Sequence, residues 1–103
     1  MLDLAPYRPG LADFVRRWRV ASVELFGSAL RDDFGPDSDV DVLLTFEPDD
    51  SWSLFDLAAM KLELEDLFGR RVDVMTRRAI EKSENWIRRE AILGGAREVY
   101  ASS

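Results

Sequence analysis

Gly27-Ser28 and, after ten residues, Asp39-Val40-Asp41 are the side chains and spacing most able to do chemistry in this chain. In an extended segment side chains alternate faces, so Asp39 and Asp41 point one way while Val40 and Val42 point into the core. Carboxylates that close repel, and one of them holds its proton more tightly unless a cation stands between them. A divalent metal bound through oxygen is the simplest resolution. The Gly-Ser turn beside the pair is a natural seat for phosphate, because glycine permits close backbone approach and serine offers a hydroxyl and an amide.

Chance alone supplies Asp-x-Asp readily in a chain with 20 acidic residues among 103, and most such pairs are solvated surface. Placement argues otherwise here. VDVLLTF is rich in β-branched and aromatic residues and reads as a strand, where charges are disfavoured. A local rule broken inside a good strand is where function is expected. A calcium loop starting at Asp37 fails, since its sixth and twelfth positions, which require Gly and Glu, are Val42 and Pro48.

The chain has no His and no Cys. That removes Ser-His-Asp and Cys-His triads, zincin motifs, zinc deaminases and disulfides. Carboxylates, hydroxyls, Arg, Lys and metal are left to carry any reaction. A net charge of −6 disfavours a protein whose main task is gripping nucleic acid. The basic pairs Arg16-Arg17, Arg70-Arg71, Arg77-Arg78 and Arg88-Arg89 read as solvated faces. No apolar stretch approaches a membrane span, and MLDLAPYRPG lacks the basic start and apolar block of a secretory signal. The expectation is one cytoplasmic domain over residues 1–103.

The elements that must position these residues follow from periodicity. Residues 1–7 read as a loose lead-in. Pro9 suits a first helical turn, and Leu11, Phe14, Val15 and Trp18 recur at helical spacing up to Arg19. SVELF at 22–26 reads as a strand ending at the Gly-Ser turn, followed by a short polar helix and a Gly35-Pro36 break. Residues 47–50 read as a loop. Ser53 and Asp56 resemble a capping box opening a helix that closes at Gly69. With Phe55, Leu62 and Leu67 added to Leu54, Leu57 and Leu64, that helix is apolar over a wide face. RVDVMT at 71–76 alternates as a further strand, with Asp73 opposite its valines. A strand–helix–strand crossover places it parallel to VDVLLTF, which brings Asp73 beside Asp39 and Asp41. Asn85 or Ser83 caps a helix through Trp86, Ile87 and Ile92 that Gly94-Gly95 stops, and 97–100 is a last strand or a docked tail.

LFGSALRDDFGPDSDVDVLLTF followed by RRVDVMT resembles the minimal nucleotidyltransferases of the DNA polymerase β superfamily over roughly residues 10–100. IRREAILGGAREVY also resembles the tail of stand-alone members encoded beside HEPN-domain toxins. The chain departs from many relatives at Arg31-Asp32, where they carry Arg-Gly. The resemblance implies a polymerase-β-like α/β fold, a small mixed sheet flanked by helices. It also implies an antitoxin that transfers AMP from ATP to a tyrosine of a HEPN-domain toxin. Such transfer is an in-line attack of a hydroxyl on the α-phosphorus with loss of pyrophosphate, a matter of positioning and charge neutralisation. Two magnesium ions can clamp the attacking and leaving oxygens. Asp39, Asp41 and Asp73 are the expected ligands, with Asp73 nearest the acceptor and able to take its proton. Gly27 and Ser28 are expected on the terminal phosphates. Arg31 is either a phosphate contact or a surface charge. Two other readings stand beside this one: a catalytically inactive antitoxin that covers its partner, and a transferase acting on RNA or a small molecule.

Overall fold

Alternating apolar and polar residues in the valine-rich runs build a mixed sheet with helices on both faces. The computed structural model describes residues 2–35, 37–47 and 52–101. The chain runs through helix α1 (Arg8–Trp18), strands β1 (Val20–Phe26) and β2 (Val40–Phe46), helix α2 (Leu54–Phe68) and strand β3 (Val72–Thr76). Helices α3 (Arg77–Glu81) and α4 (Trp86–Gly95) and strand β4 (Arg97–Ala101) follow. The strand order is β3-β2-β1-β4. β1 is antiparallel to β2 and β4, whereas β2 and β3 are parallel, as the crossover through α2 requires.

One face of the sheet carries Val23 and Leu25 of β1, Val40, Val42 and Leu44 of β2 and Val72 of β3. Leu11, Phe14 and Val15 of α1 and Met60, Leu64 and Phe68 of α2 close over them. Burying side chains of this size stabilises the fold by about 1.5–3 kcal/mol each. The opposite face carries a smaller apolar cluster, in which Phe26 and Leu43 meet Ile80 of α3 and Ile92 of α4. By strand alternation Asp41 and Asp73 belong to this second face, one step from Leu43 and Met75.

Local signals set the helix limits. α1 has Pro in its first turn, and Arg19 ends it in the left-handed region at φ 56°, donating its N–H to the Val15 carbonyl. α2 opens on the complete Ser53–Asp56 capping box and ends at Gly69, φ 68°. Asn85, rather than Ser83, caps α4 by accepting from the Arg88 N–H at 3.1 Å. Residues 97–101 form a strand rather than a docked tail.

Several expectations need correction. The short polar helix after the Gly-Ser turn is a single 3-10 turn, Gly27–Leu30, whose Ala29 is buried. Four residues with an apolar end are pulled onto the core before an α-helical turn can propagate. β1 begins two residues earlier than expected, at Val20, whose side chain is buried. The lead-in is docked: Leu2 donates its N–H to the Ala29 carbonyl at 2.9 Å, and Tyr7 stands edge-on to Phe68 at 4.9 Å. α3 was not expected at all. Leu54, Phe55 and Leu62 of α2 are 82%, 88% and 62% exposed, so the buried stripe is the narrower one through Met60, Leu64 and Phe68. Of the expected breaks, Pro36 and residues 48–50 lie outside the described residues.

Candidate active site

Strand register brings two of the three aspartates face to face. Asp41 pairs with Asp73 across the parallel β2–β3 ladder and with Phe26 across β1. Asp39 is the residue immediately before β2, and the next residue, Val40, donates its N–H to the Arg71 carbonyl at 3.0 Å. Asp41 is half-buried, while Asp73 is exposed. Burial pushes the Asp41 carboxyl above the ordinary carboxylate range. The Asp73 charge, a side-chain hydrogen bond with Asp73 and the Asp39 charge add to that push.

Gly27 shapes the other wall. Its φ of +68° suits glycine, and a Cβ there would collide with Asp41 Oδ2. Glycine is therefore required twice over, by the backbone and by the approach of the carboxylate. Ser28 Oγ donates to the Asp39 main-chain carbonyl at 3.0 Å, tying the 3-10 turn to the segment that delivers the aspartates. Arg31 lies in an ion pair with Asp33 at 3.0 Å, both largely exposed.

Asp39 has a cation at hand. Its carboxylate has the Arg71 guanidinium 4.0 Å away, and among the described residues no group of three acidic side chains is arranged to hold a metal. Two aspartates meet, and the third stands within electrostatic reach of Asp41 beside a cation. The donor set still fits a hard ion: it is all carboxylate oxygen, carried at and just before neighbouring parallel strands.

Three arginines read as solvated faces have partners here. Arg71 stands by Asp39, Arg70 binds the loop before Asp39, and Arg77 holds the buried Glu24 at 2.6 Å, fixing the start of α3 to β1. Only their place next to a strand end hinted at this, and each partner lies tens of residues away in sequence.

This geometry is a mixed sheet with carboxylates on neighbouring parallel strands and a glycine-serine turn over one of them. Residues 10–97 match the nucleotidyltransferase domain, and the chain belongs to that family. It has the polymerase-β-like nucleotidyltransferase fold. A candidate protein adenylyltransferase of Methanocaldococcus jannaschii, MJ0435, is 39% identical over 61 residues, 59% of this chain and 63% of that protein. The chain thus spans less than two thirds of that relative's length. The structure of a candidate minimal nucleotidyltransferase superposes with a TM-score of 0.70 at 33% identity, covering 95% of this chain and 97% of the other. A toxin–antitoxin complex with AMP-PNP gives a TM-score of 0.68 at 12% identity, covering 92% of this chain and 73% of that one. A tri-AMPylated Shewanella oneidensis HEPN toxin in complex with MNT antitoxin gives 0.61 at 11%, covering 93% and 71%. At such identities these two complexes speak for the fold alone.

Proposed function

We propose that this chain is a metal-dependent nucleotidyltransferase that moves AMP from ATP to a hydroxyl, a tyrosine's, on a HEPN-domain toxin, and so acts as its antitoxin. The observation that carries this reading is the Asp41–Asp73 pair, set in register beside a positive-φ glycine that Asp41 crowds. Support for a protein acceptor comes from the M. jannaschii relative, a candidate protein adenylyltransferase, and the HEPN-domain toxin is the acceptor implied by the resemblance of the C-terminal segment to toxin-associated members. The chain has no His to act as base, and the carboxylates at the site are the groups placed to take a proton there.

Asp39, Asp41 and Asp73 would hold magnesium, which when bound neutralises phosphate charge and lowers the proton affinity of the acceptor hydroxyl. A cation using all three would draw the Asp39 carboxylate away from Arg71. Gly27 and Ser28 would take the terminal phosphates, through the backbone amides of the turn and the serine hydroxyl, with glycine at position 27 letting the Asp41 carboxylate stand against the turn. Asp73, exposed on β3, takes the proton of the acceptor hydroxyl. The freed oxygen bonds to the α-phosphorus as the bond to the β-phosphate bridging oxygen breaks, and pyrophosphate leaves.

The test is direct. Incubation with ATP, magnesium and the HEPN-domain partner should add one or more adenylyl units to the partner by intact-mass spectrometry. The Asp39→Asn/Asp41→Asn double variant should lose this by about 10³-fold or more, since removal of positioning and charge neutralisation is costly. Transfer to RNA and none to the protein would overturn the acceptor.

A further inference from the structure

Asp39 is the most delicately placed member of the site. It lies outside the ladder of β2, at the end of a loop that begins after the Gly27–Leu30 turn. Carboxylates that bind a metal must be held in place by their surroundings, or affinity is spent on ordering them. Something must therefore fix the main chain on the approach to Asp39, at Gly35 and Ser38.

Arg70 does this from across the fold. It follows Gly69, the residue that ends α2, and precedes β3 by two positions. Its Nη1 donates to the Gly35 carbonyl at 2.8 Å and to the Ser38 carbonyl at 3.2 Å, so one guanidinium nitrogen clasps the loop at both ends of its last turn. The guanidinium carbon also lies 4.5 Å from the ring centroid of Phe34, a cation–π platform that holds the plane of the fork. Ser38 closes the turn from within, accepting at Oγ from the Gly35 N–H at 3.1 Å and donating its own N–H to the Gly35 carbonyl at 3.1 Å. The next residue is Asp39. On the β3 side the clasp continues into the Arg71 carbonyl, which accepts from Val40, and into the Val72 N–H, which donates to Glu65 Oε2 at 3.1 Å.

We propose that Arg70 is a positioning residue for the aspartate site: it fixes the main chain that delivers Asp39, and through it the affinity of the site for a divalent cation. Arg70 itself binds two carbonyls and a ring, and touches none of the three aspartates through any of these contacts. Its effect runs through the loop. The inference rests on the reading that these aspartates take a divalent cation.

Manganese titration of the full chain followed by electron paramagnetic resonance measures that affinity without any turnover. Arg70→Gln should weaken manganese binding several-fold, less than the roughly 10–100-fold lost when a direct orienting partner of a metal ligand is removed, because Arg70 acts through the main chain. Arg70→Lys should recover part of the loss, because an ammonium keeps the charge and can donate to the carbonyls but lacks the planar fork that stacks on Phe34. Phe34→Leu removes the platform but not the hydrogen bonds, and should weaken binding by less than Arg70→Gln. It also stands in if Arg70→Gln fails to fold. Amide hydrogen exchange at Ser38 and Val40 gives a readout that needs no metal, and both should exchange faster in Arg70→Gln. Unchanged exchange there overturns the clasp whatever the metal does. Manganese affinity unchanged in Arg70→Gln, with only a lowered melting temperature, overturns the positioning role and leaves a structural contact. A failure of the unsubstituted chain to bind manganese, with exchange faster in Arg70→Gln, counts instead against the cation reading of the site.

Discussion

Asp41 is held at an electrostatic disadvantage that the fold does not relieve by itself. It is half-buried, opposite Asp73 in register and close to Asp39, and its carboxyl is raised by all of these. The sign of the resulting pH dependence follows from linkage. Where the folded chain keeps a proton that the unfolded chain has released, stability falls as pH rises. The penalty is thus absent below the ordinary carboxylate range, grows as pH climbs through it, and is complete above the raised value. Asp41→Asn removes it. In metal-free buffer this variant should melt higher than the unsubstituted chain at neutral pH, and the two melting temperatures should converge as pH falls below the ordinary carboxylate range. Thermal melts across that range would check it; a variant less stable at neutral pH would mean that the carboxylate is a net structural asset.

At the scale of elements, α2 is a helix with work on one side only. Met60, Leu64 and Phe68 seal the core, whereas Phe55 and Leu62 stand in solvent. Leu64→Ala should cost about 2–5 kcal/mol in chemical denaturation, as a fully buried leucine does. Phe55→Ser should change stability by no more than about 0.5 kcal/mol, as an exposed substitution does. Comparable losses in both would mean that Phe55 is covered in solution. This helix also shows what a sequence can tell. Its limits were legible because a capping box and a C′ glycine act over three or four residues. Its buried face was not, because Leu54, Phe55 and Leu62 differ from Leu64 only in what lies across from them. The aspartate strand was legible for the same local reason: VDVLLTF alternates, so Asp41 had to leave the valine face, and the crossover rule set Asp73 beside it. Asp39 beside Arg71, and Arg70 on the 35–38 loop, were not legible. Those contacts join residues 32 or more apart, and a pair of arginines before a strand looks like any solvated pair. α3 was missed because five residues, RRAIE, are too few to show a period, and its cap, Thr76, is also the end of β3.

The whole molecule carries a net charge of −6, and it sets aspartates against one another at the edge of its smaller apolar cluster. Two different cation effects follow from these facts. Any salt screens the general self-repulsion, and screening depends on ionic strength rather than on the identity of the ion. A cation seated among Asp39, Asp41 and Asp73 adds binding free energy to the folded state alone, about 2.7 kcal/mol at a hundred times its dissociation constant. For a domain of this size that is on the order of 10–20 °C in melting temperature. Magnesium chloride should therefore raise the melting temperature well beyond sodium chloride at matched ionic strength. The Asp39→Asn/Asp41→Asn double variant should begin higher in metal-free buffer and gain equally from the two salts. If the unsubstituted chain also gains equally from both, the aspartates repel each other without seating an ion. The site would then be a nucleotidyltransferase scaffold without its metal, and the covering antitoxin would become the better account of the same fold.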